Sequence, residues 1–410
     1  MKLTLSAVFI TAILDAMGIA LTLPIMPSLL RDVGMDGTTG WALGVFIAVY
    51  PLMQFLTAPL MGSLSDRYGR RPILLMSLAA QMLSYTFLVF APSYELLLLA
   101  RAVAGIAGAS TAVVSAVIVD VTPDTQRARR FGQLGACIGV GYILGPTMGG
   151  ILGGYWVRLP FVAAAGLALA NLLWTAWVLR ETKPASEERE ATPLLNPLAA
   201  LRWAGQFPSL SPLLIVFALI TLVGEIAGTI WVVYGEDTFA WSAVTVGISL
   251  TCFGLFHALA QAFLAGPLVS RFGEKRVLIL GILADSCAFF LIAMATSGWV
   301  AFALTPLFCM GGLAGPAIQS LISSAVSDQQ QGRLQGLMGA ITGLVTVIAP
   351  VLASTTYFAT RSSQPGTVWV VGAGLYLAGL VIFAVVGPRA DDRKRQSARY
   401  DQHQNEIPSP

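Results

Sequence analysis

Twelve apolar runs, each about long enough to cross a bilayer, follow one another along this 410-residue chain, and clusters of charge separate them. They fall at about 4–30, 41–64, 73–92, 95–120, 130–154 and 159–179, then at 212–234, 243–269, 277–296, 299–325, 335–358 and 367–387. Between the two sets of six lies Arg180 to about Pro212, where the run ETKPASEERE and several prolines read as a solvated linker. Only 11% of the residues are charged, against roughly 25% in a typical globular protein, while 56% are hydrophobic and the mean hydropathy is +0.75. Such a chain has too little polar surface to face water on all sides, so its solvent is lipid. The expectation is an all-α polytopic membrane protein with twelve transmembrane helices in two six-helix bundles. Its parts are an N-terminal bundle at 1–180, a cytoplasmic linker at 181–211, a C-terminal bundle at 212–388 and a cytoplasmic tail at 389–410.

Orientation follows from assigning the 24 basic residues to alternate loops. With Lys2 in the cytoplasm, only Arg31, Arg158 and Arg361 fall on the opposite side and Arg101 lies within a span; the other basic residues share the cytoplasmic side. Both termini are therefore expected in the cytoplasm. Residues 1–30 lack a charged segment followed by a small-residue cleavage site, and read as a retained first helix. Cys137, Cys252, Cys287 and Cys309 all lie in apolar stretches without metal-like spacing, so neither disulfides nor a bound metal are expected. A net charge of +3, dispersed along the chain, does not signal nucleic acid. No P-loop, nucleophile triad or metal-ligand cluster is apparent, so chemistry on a substrate is not indicated and the chain does not read as an enzyme.

The halves repeat. GSLSDRYGRRP from Gly62 and GPLVSRFGEKR from Gly266 are offset by 204 positions, with glycine, leucine, arginine and aromatic positions preserved. GPTMGG from Gly145 has a faded counterpart at Ala349-Pro350. Parallel repeats of this kind are a transporter signature.

Intramembrane charges are costly, at ~2.5–3.5 kcal/mol on insertion scales, so each must face a cavity or a partner. Asp15, midway along the first span, reads as a substrate or proton site or as a structural partner of Arg101. The Arg101 guanidinium stays charged and cannot itself carry protons, so its use is either electrostatic control of a nearby carboxylate or fixed pairing. Asp285 sits in an otherwise uncharged run, where a titrating acid can hold either a proton or a cationic substrate; that mutual exclusion is enough to drive exchange. His257 and Gln261, spaced i, i+4, share a helix face and could meet a cavity, as a proton relay and hydrogen-bonding pair or as packing residues. Glu225 adds a second acid in the C-terminal half, either part of a coupled pair with Asp285 beside His257 or a protonated structural group.

The loop Asp66-Arg67-Tyr68-Gly69-Arg70-Arg71 reads as a gate latch whose charges pair with Asp120 at the end of the fourth span. In the second copy Ser270 replaces the aspartate, so the halves should latch unequally. Gly141, Gly145, Gly149 and Gly150 recur at helical spacing and Pro146 bends the helix, which reads as close helix packing or as a seal against leak.

Together these residues resemble a proton-coupled drug exporter of the major facilitator superfamily, and within it the tetracycline/proton antiporters. Gly62, Asp66, Arg67, Gly69, Arg70 and Arg71 match the superfamily loop motif. Gly141, Gly145, Pro146, Gly149 and Gly150 match the exporter motif of the fifth helix. LDAMGIALTLPIMP with Asp15, AVYPLMQ ending in Gln54, HALAQAF with His257 and Gln261, and ADSCAF with Asp285 match the tetracycline exporters. Two positions depart from the family pattern: Ser84, where an acid is frequent, and Glu225, where an amide is familiar. The resemblance implies an exporter in a bacterial inner membrane that exchanges tetracycline, carried as a magnesium chelate, for inward protons, with no resident cofactor. Asp15, Gln54, His257 and Gln261 are its expected substrate residues, and Asp285, Arg101, Glu225 and His257 its expected proton-coupling residues. A proton-coupled multidrug or metabolite exporter of the same superfamily is the alternative.

Overall fold

The computed structural model describes residues 2–35, 40–108, 110–182, 210–327 and 330–385. The expected tail and all but the ends of the expected linker lie outside these residues. A backbone in hydrocarbon has no water to bond, so each segment satisfies its amides internally as helix. The spans are α1 Thr4–Asp32, α2 Gly40–Tyr68, α3 Arg70–Phe90, α4 Tyr94–Val121, α5 Asp124–Tyr155 and α6 Leu159–Val178, then α7 Leu210–Phe239, α8 Ala243–Phe272, α9 Glu274–Ala293, α10 Gly298–Ser323, α11 Gln331–Thr360 and α12 Thr367–Val385. α5 and α11 begin several residues before their apolar runs, because DTQRARR and QGRLQG continue as helix beyond the apolar segment.

Breaks in the helices have identifiable causes. Pro24 and Pro27 tighten α1 into a 3₁₀ turn at Leu23–Ile25. α8 holds a π-helical turn at Ala260–Leu264, which begins one residue before Gln261. α10 divides at Gly312-Leu313 into Gly298–Gly311 and Ala314–Ser323.

Within the N-terminal half α1 packs on α5 and α6, α2 on α4, and α3 on α4 and α6; within the C-terminal half α9 packs on α10 and α7 on α10 and α11. The halves meet through α5 against α8 and α2 against α11. These seams depend on missing side chains. A Cβ on Gly150 would lie 2.3 Å from the Ala243 carbonyl oxygen, one on Gly247 2.3 Å from that of Pro146, and one on Gly44 2.6 Å from Val351 Cα. Thr147 reinforces the first seam by a 2.7 Å hydrogen bond to Thr251. Arg31 of α1 and Glu236 of α7 close it at the ends remote from the N-terminus, 2.8 Å apart. At the opposite ends of the same helices, Gly132, Gly135 and Gly139 of α5, Gly266 of α8 and Gly332 and Gly339 of α11 face open space. Among the described residues the halves are therefore joined on the side remote from the N-terminus and parted on the side where α1 begins.

The sequence repeat has a backbone counterpart. Gly69 and Gly273, 204 positions apart, both hold positive φ, +97° and +79°, and each precedes the next helix, α3 or α9. A helix start leaves amides without partners. On α3 they are taken by Glu181, just beyond α6: the Arg70 amide donates to its Oε1 at 2.8 Å and the Arg71 amide to its Oε2 at 3.1 Å.

Two outcomes follow from this packing. A Cβ on Gly149 would stand 1.9 Å from the Leu21 carbonyl oxygen, whereas one on Gly139 meets nothing. Gly149→Val is expected to cost about 1–3 kcal/mol, read as a lower melting temperature of the purified protein, and Gly139→Ala to stay within about 0.5 kcal/mol of wild type. Glu181→Ala removes the cap of α3 at a cost of about 1 kcal/mol, so hydrogen exchange of the Arg70 and Arg71 amides should quicken about five-fold, with the other spans unchanged.

Candidate transport site

Two cavities, one in each half, hold the interior carboxylates. The N-terminal cavity, about 240 Å³, is lined by Asp15 and Ala16 of α1, Tyr50 and Gln54 of α2, Gln81 of α3, Ser110 and Thr111 of α4 and Tyr142 of α5, among others. α1 carries Asp15 into it because Ala12, Ala16 and Ile19 share its face. The Ser110 hydroxyl donates to Asp15 Oδ2 at 3.1 Å. Gln54 is fixed by its amide, which donates to the Gly108 carbonyl at 2.9 Å, and Gln81 donates to the Tyr85 hydroxyl at 3.0 Å.

Arg101 is buried on α4, and its partner is not Asp15. Its guanidinium lies over the rings of Phe46 and Tyr50, 5.0 and 5.3 Å from their centroids, with Nε 3.5 Å from the Phe46 carbonyl oxygen. Among the described residues no carboxylate forms an ion pair with it. The expected Asp15–Arg101 pair is thus replaced by a cation–π arrangement, which the aromatic face of α2 makes possible. Ser84, where family members often carry an acid, is buried and donates to the Ala100 carbonyl at 2.8 Å, one residue from Arg101.

The C-terminal cavity, about 290 Å³, is lined by Asp285 and Phe289 of α9, His257 and Phe253 of α8, Gly224, Gly228 and Trp231 of α7, Thr305, Phe308, Gly311 and Gly312 of α10, and Tyr376 of α12, with a few apolar neighbours. Asp285 is 93% buried, its relative exposure being 7%. It is hydrogen-bonded by Tyr376 and pressed onto Gly311, where a Cβ would fall 1.8 Å from its Oδ1. His257 stacks on Phe253 at 5.6 Å and packs against Gly312, and the Gln261 amide donates to the Gly312 carbonyl at 3.2 Å. Both side chains reach the break in α10.

Glu225 does not join this group. On α7 the cavity is lined by Gly224, Ala227, Gly228 and Trp231, and Glu225 is turned about 100° from Gly224, toward Tyr142 of α5 in the other half. The expected pairing of Glu225 with Asp285 and His257 is corrected by helical phase.

On the N-terminal side, Arg70 is buried and holds two acids at once. Its NH2 lies 2.8 Å from Asp66 Oδ1 and its Nε 3.0 Å from Asp120 Oδ2, while NH1 donates to Ser65 at 2.6 Å. Arg71 donates to the Ala176 carbonyl at 2.7 Å, and Arg67 lies over the Tyr68 ring at 5.3 Å. All these contacts stay within the N-terminal half. Gly141, Gly145 and Gly149 accept the backbone of α1 between Ile13 and Leu21, and Gly150 accepts α8. The glycine motif thus serves both a seam within the half and one between halves.

Sequence reasoning did not single out Tyr50, Gln81, Ser110 and Tyr142 in one cavity, Trp231 and Tyr376 in the other, or Glu181. Only Gln81 carried a usable signal: it stands 204 positions before Asp285 and so occupies the same place in the first half. The amide clamps agree with this, since Gly108 and Gly312, also 204 apart, accept from Gln54 and Gln261. Among the described residues no group of three or more His, Cys, Asp and Glu side chains could hold a metal ion.

The chain matches the family model described as Major Facilitator Superfamily over residues 8–234 and again over 213–408. It is 44% identical to the class C tetracycline resistance protein of Escherichia coli, over 90% of this chain and 93% of that protein. It is 42% identical to the class G protein of Vibrio anguillarum, over 90% and 94%. In fold it is similar to the human organic anion transporter MFSD10, with a TM-score of 0.67 at 23% identity over 93% of this chain and 99% of that one. The nucleoside transporter NupG gives 0.76 at 16% identity, over 93% and 99%. With twelve spans and two copies of one helical repeat, the chain is a multi-pass membrane protein that belongs to the Major Facilitator Superfamily and, within it, to the family of the tetracycline resistance proteins.

Proposed function

We propose that this protein exports a tetracycline, carried as a magnesium chelate monocation, from the cytoplasm across a bacterial inner membrane in exchange for an inward-moving proton. The observation that carries the reading is one carboxylate in each half-cavity, Asp15 and Asp285, in a chain of the tetracycline resistance family. With both termini cytoplasmic, as the distribution of basic residues favours, the parted side faces the cytoplasm and this conformation is the one that admits drug.

The N-terminal cavity supplies oxygen-rich walls, with Asp15, Ser110, Thr111 and the amides of Gln54 and Gln81. That chemistry suits the hard, cationic face of a magnesium chelate. Asp15 and Gln54 bind from this half, and His257 and Gln261 from the other. Asp285 is the coupling acid: protonated, it releases the cation; ionised, it accepts one. Arg101, whose charge is fixed, and Glu225, facing Tyr142 between the halves, are the remaining charged groups of the proton path, with His257 as relay. Arg70, held by Asp66 and Asp120, and flanked by Arg67 and Arg71, latches the N-terminal half. Gly141, Gly145, Pro146, Gly149 and Gly150 seal the side remote from it. Two-state exchange then needs only contacts that differ between the states.

Drug uptake into inverted vesicles under an imposed proton gradient tests the scheme. Uptake should depend on magnesium, and Asp285→Asn should abolish it at every pH with expression intact; uptake equal to wild type would reject Asp285 as the coupling acid. Asp66→Asn, remote from both cavities, should slow turnover more than it weakens equilibrium drug binding, and a large loss of affinity at normal turnover would remove the latch assignment. Glu225→Gln, which removes a carboxyl from this proton path, should shift the pH optimum of transport, and an unchanged optimum with intact expression would remove Glu225 from the path.

A further inference from the structure

The two cavities are chemically unlike, the first walled by oxygens and amides and the second mostly by aromatic rings. Around the C-terminal cavity stand the aromatic rings of Trp231, Phe253, Phe289 and Phe308, with Asp285 as the sole carboxylate and no lysine or arginine among the lining residues. The rings are held edge to face, Trp231 on Phe308 at 5.9 Å and Phe289 on Phe308 at 5.7 Å, so the wall is preformed. Tyr376 hydrogen-bonds Asp285, and no cationic lysine or arginine lines the cavity beside it. Glycine makes the room: a Cβ on Gly224, Gly228 or Gly315 would enter empty space.

Aromatic faces attract cations through their ring quadrupoles, and rings grouped around one carboxylate are the usual cage for a quaternary ammonium. A strongly hydrated metal chelate gains little from such walls, whereas a poorly hydrated organic cation gains both burial and charge complementarity. We propose that the C-terminal cavity is a separate binding site for aromatic quaternary ammonium cations, with Asp285 as counter-ion and the rings of Trp231, Phe289 and Phe308 as its cage. This ligand class carries no chelated metal, so its binding is measured apart from tetracycline export even though Asp285 and His257 of the same cavity serve the proposed export as well.

The test is equilibrium binding of radiolabelled benzyltrimethylammonium to the purified full-length protein in lipid nanodiscs, beside its uncharged isostere neopentylbenzene. The cation should bind about tenfold tighter than the isostere. Asp285→Asn should erase that preference. Gly228→Leu, which fills the cavity without meeting another atom at Cβ, should abolish binding of both at an unchanged melting temperature. Asp15→Asn, in the other cavity, should leave cation binding as in wild type. Equal affinity for cation and isostere in wild type, a cation preference that survives Asp285→Asn, cation binding that survives Gly228→Leu, or its loss in Asp15→Asn would overturn the proposal. Tetracycline uptake in vesicles is scored separately, so failure of either reading is distinguishable from failure of the other.

Discussion

Charge in a hydrocarbon slab has few places to go, and the interior of this protein is arranged around that constraint. Water is absent from the lipid, so every ionisable group in a span needs a cavity, a hydrogen-bond donor or a polarisable ring. Asp15 has a cavity and Ser110; Asp285 has a cavity and Tyr376; Arg101 has Phe46, Tyr50 and a carbonyl. Each solution requires neighbours on at least one other helix, so housing the charges also helps fix how the helices assemble. Gly311 illustrates the coupling: its missing side chain is where the Asp285 carboxylate sits, and any larger residue would displace the acid or separate α9 from α10.

The duplicated architecture lets the halves keep one scaffold and diverge in chemistry. Kept across the 204-residue offset are the backbone devices, the positive-φ glycines before α3 and α9 and the carbonyls of Gly108 and Gly312, each of which accepts from a glutamine amide. Altered are groups that line the cavities, with Gln81 in the first half where Asp285 stands in the second. The loop that follows the second helix of each half differs as well. Arg70 bridges two acids, whereas its counterpart Glu274 hydrogen-bonds Ser320 and Ser270 bonds its own helix at the Pro267 carbonyl. An acid in place of the arginine inverts the local charge, so the second loop cannot form the same three-centre pairing.

Much of the fold was legible because lipid simplifies the code. Apolar runs of sufficient length must be helices, and the twelve expected spans coincide with the observed ones to within a few residues at most ends. The cavity carboxylates were legible for the same reason, since an aspartate in an apolar run is too costly to be accidental. Side-chain partners were not. Asp15 and Arg101 carry opposite charge on neighbouring helices, yet the guanidinium finds aromatic rings first, an outcome set by the rotation of α2 that no spacing reveals. Glu225 could be read as a partner of Asp285 or as a structural group, since both acids lie in the second half; one step of about 100° from Gly224 turns it off the cavity face and toward Tyr142. Glu181 sits in a charged stretch that reads as solvated, and only the fold brings it to the start of α3.

The contacts that join the halves are of the kind a transporter can afford to break. Arg31–Glu236 is half exposed on its arginine side, and pairs of this sort are worth roughly 0–1 kcal/mol. The glycine seams of α5 with α8 and α2 with α11 add van der Waals contact and hydroxyl bonds, from Thr147 to Thr251 and from Thr251 to the Ile143 carbonyl, and among the described residues no ion pair lies in them. Inside each half, by contrast, lie the interactions that are costly to lose: Arg70 with two carboxylates, Asp285 with Tyr376, and the packed rings of Tyr234, Phe289 and Trp369. Energy is thus concentrated within the bundles and kept low between them. Under the proposed exchange, a shift in the charge of one interior carboxylate, through a proton or a cationic ligand, is what tips one bundle against the other without unfolding either.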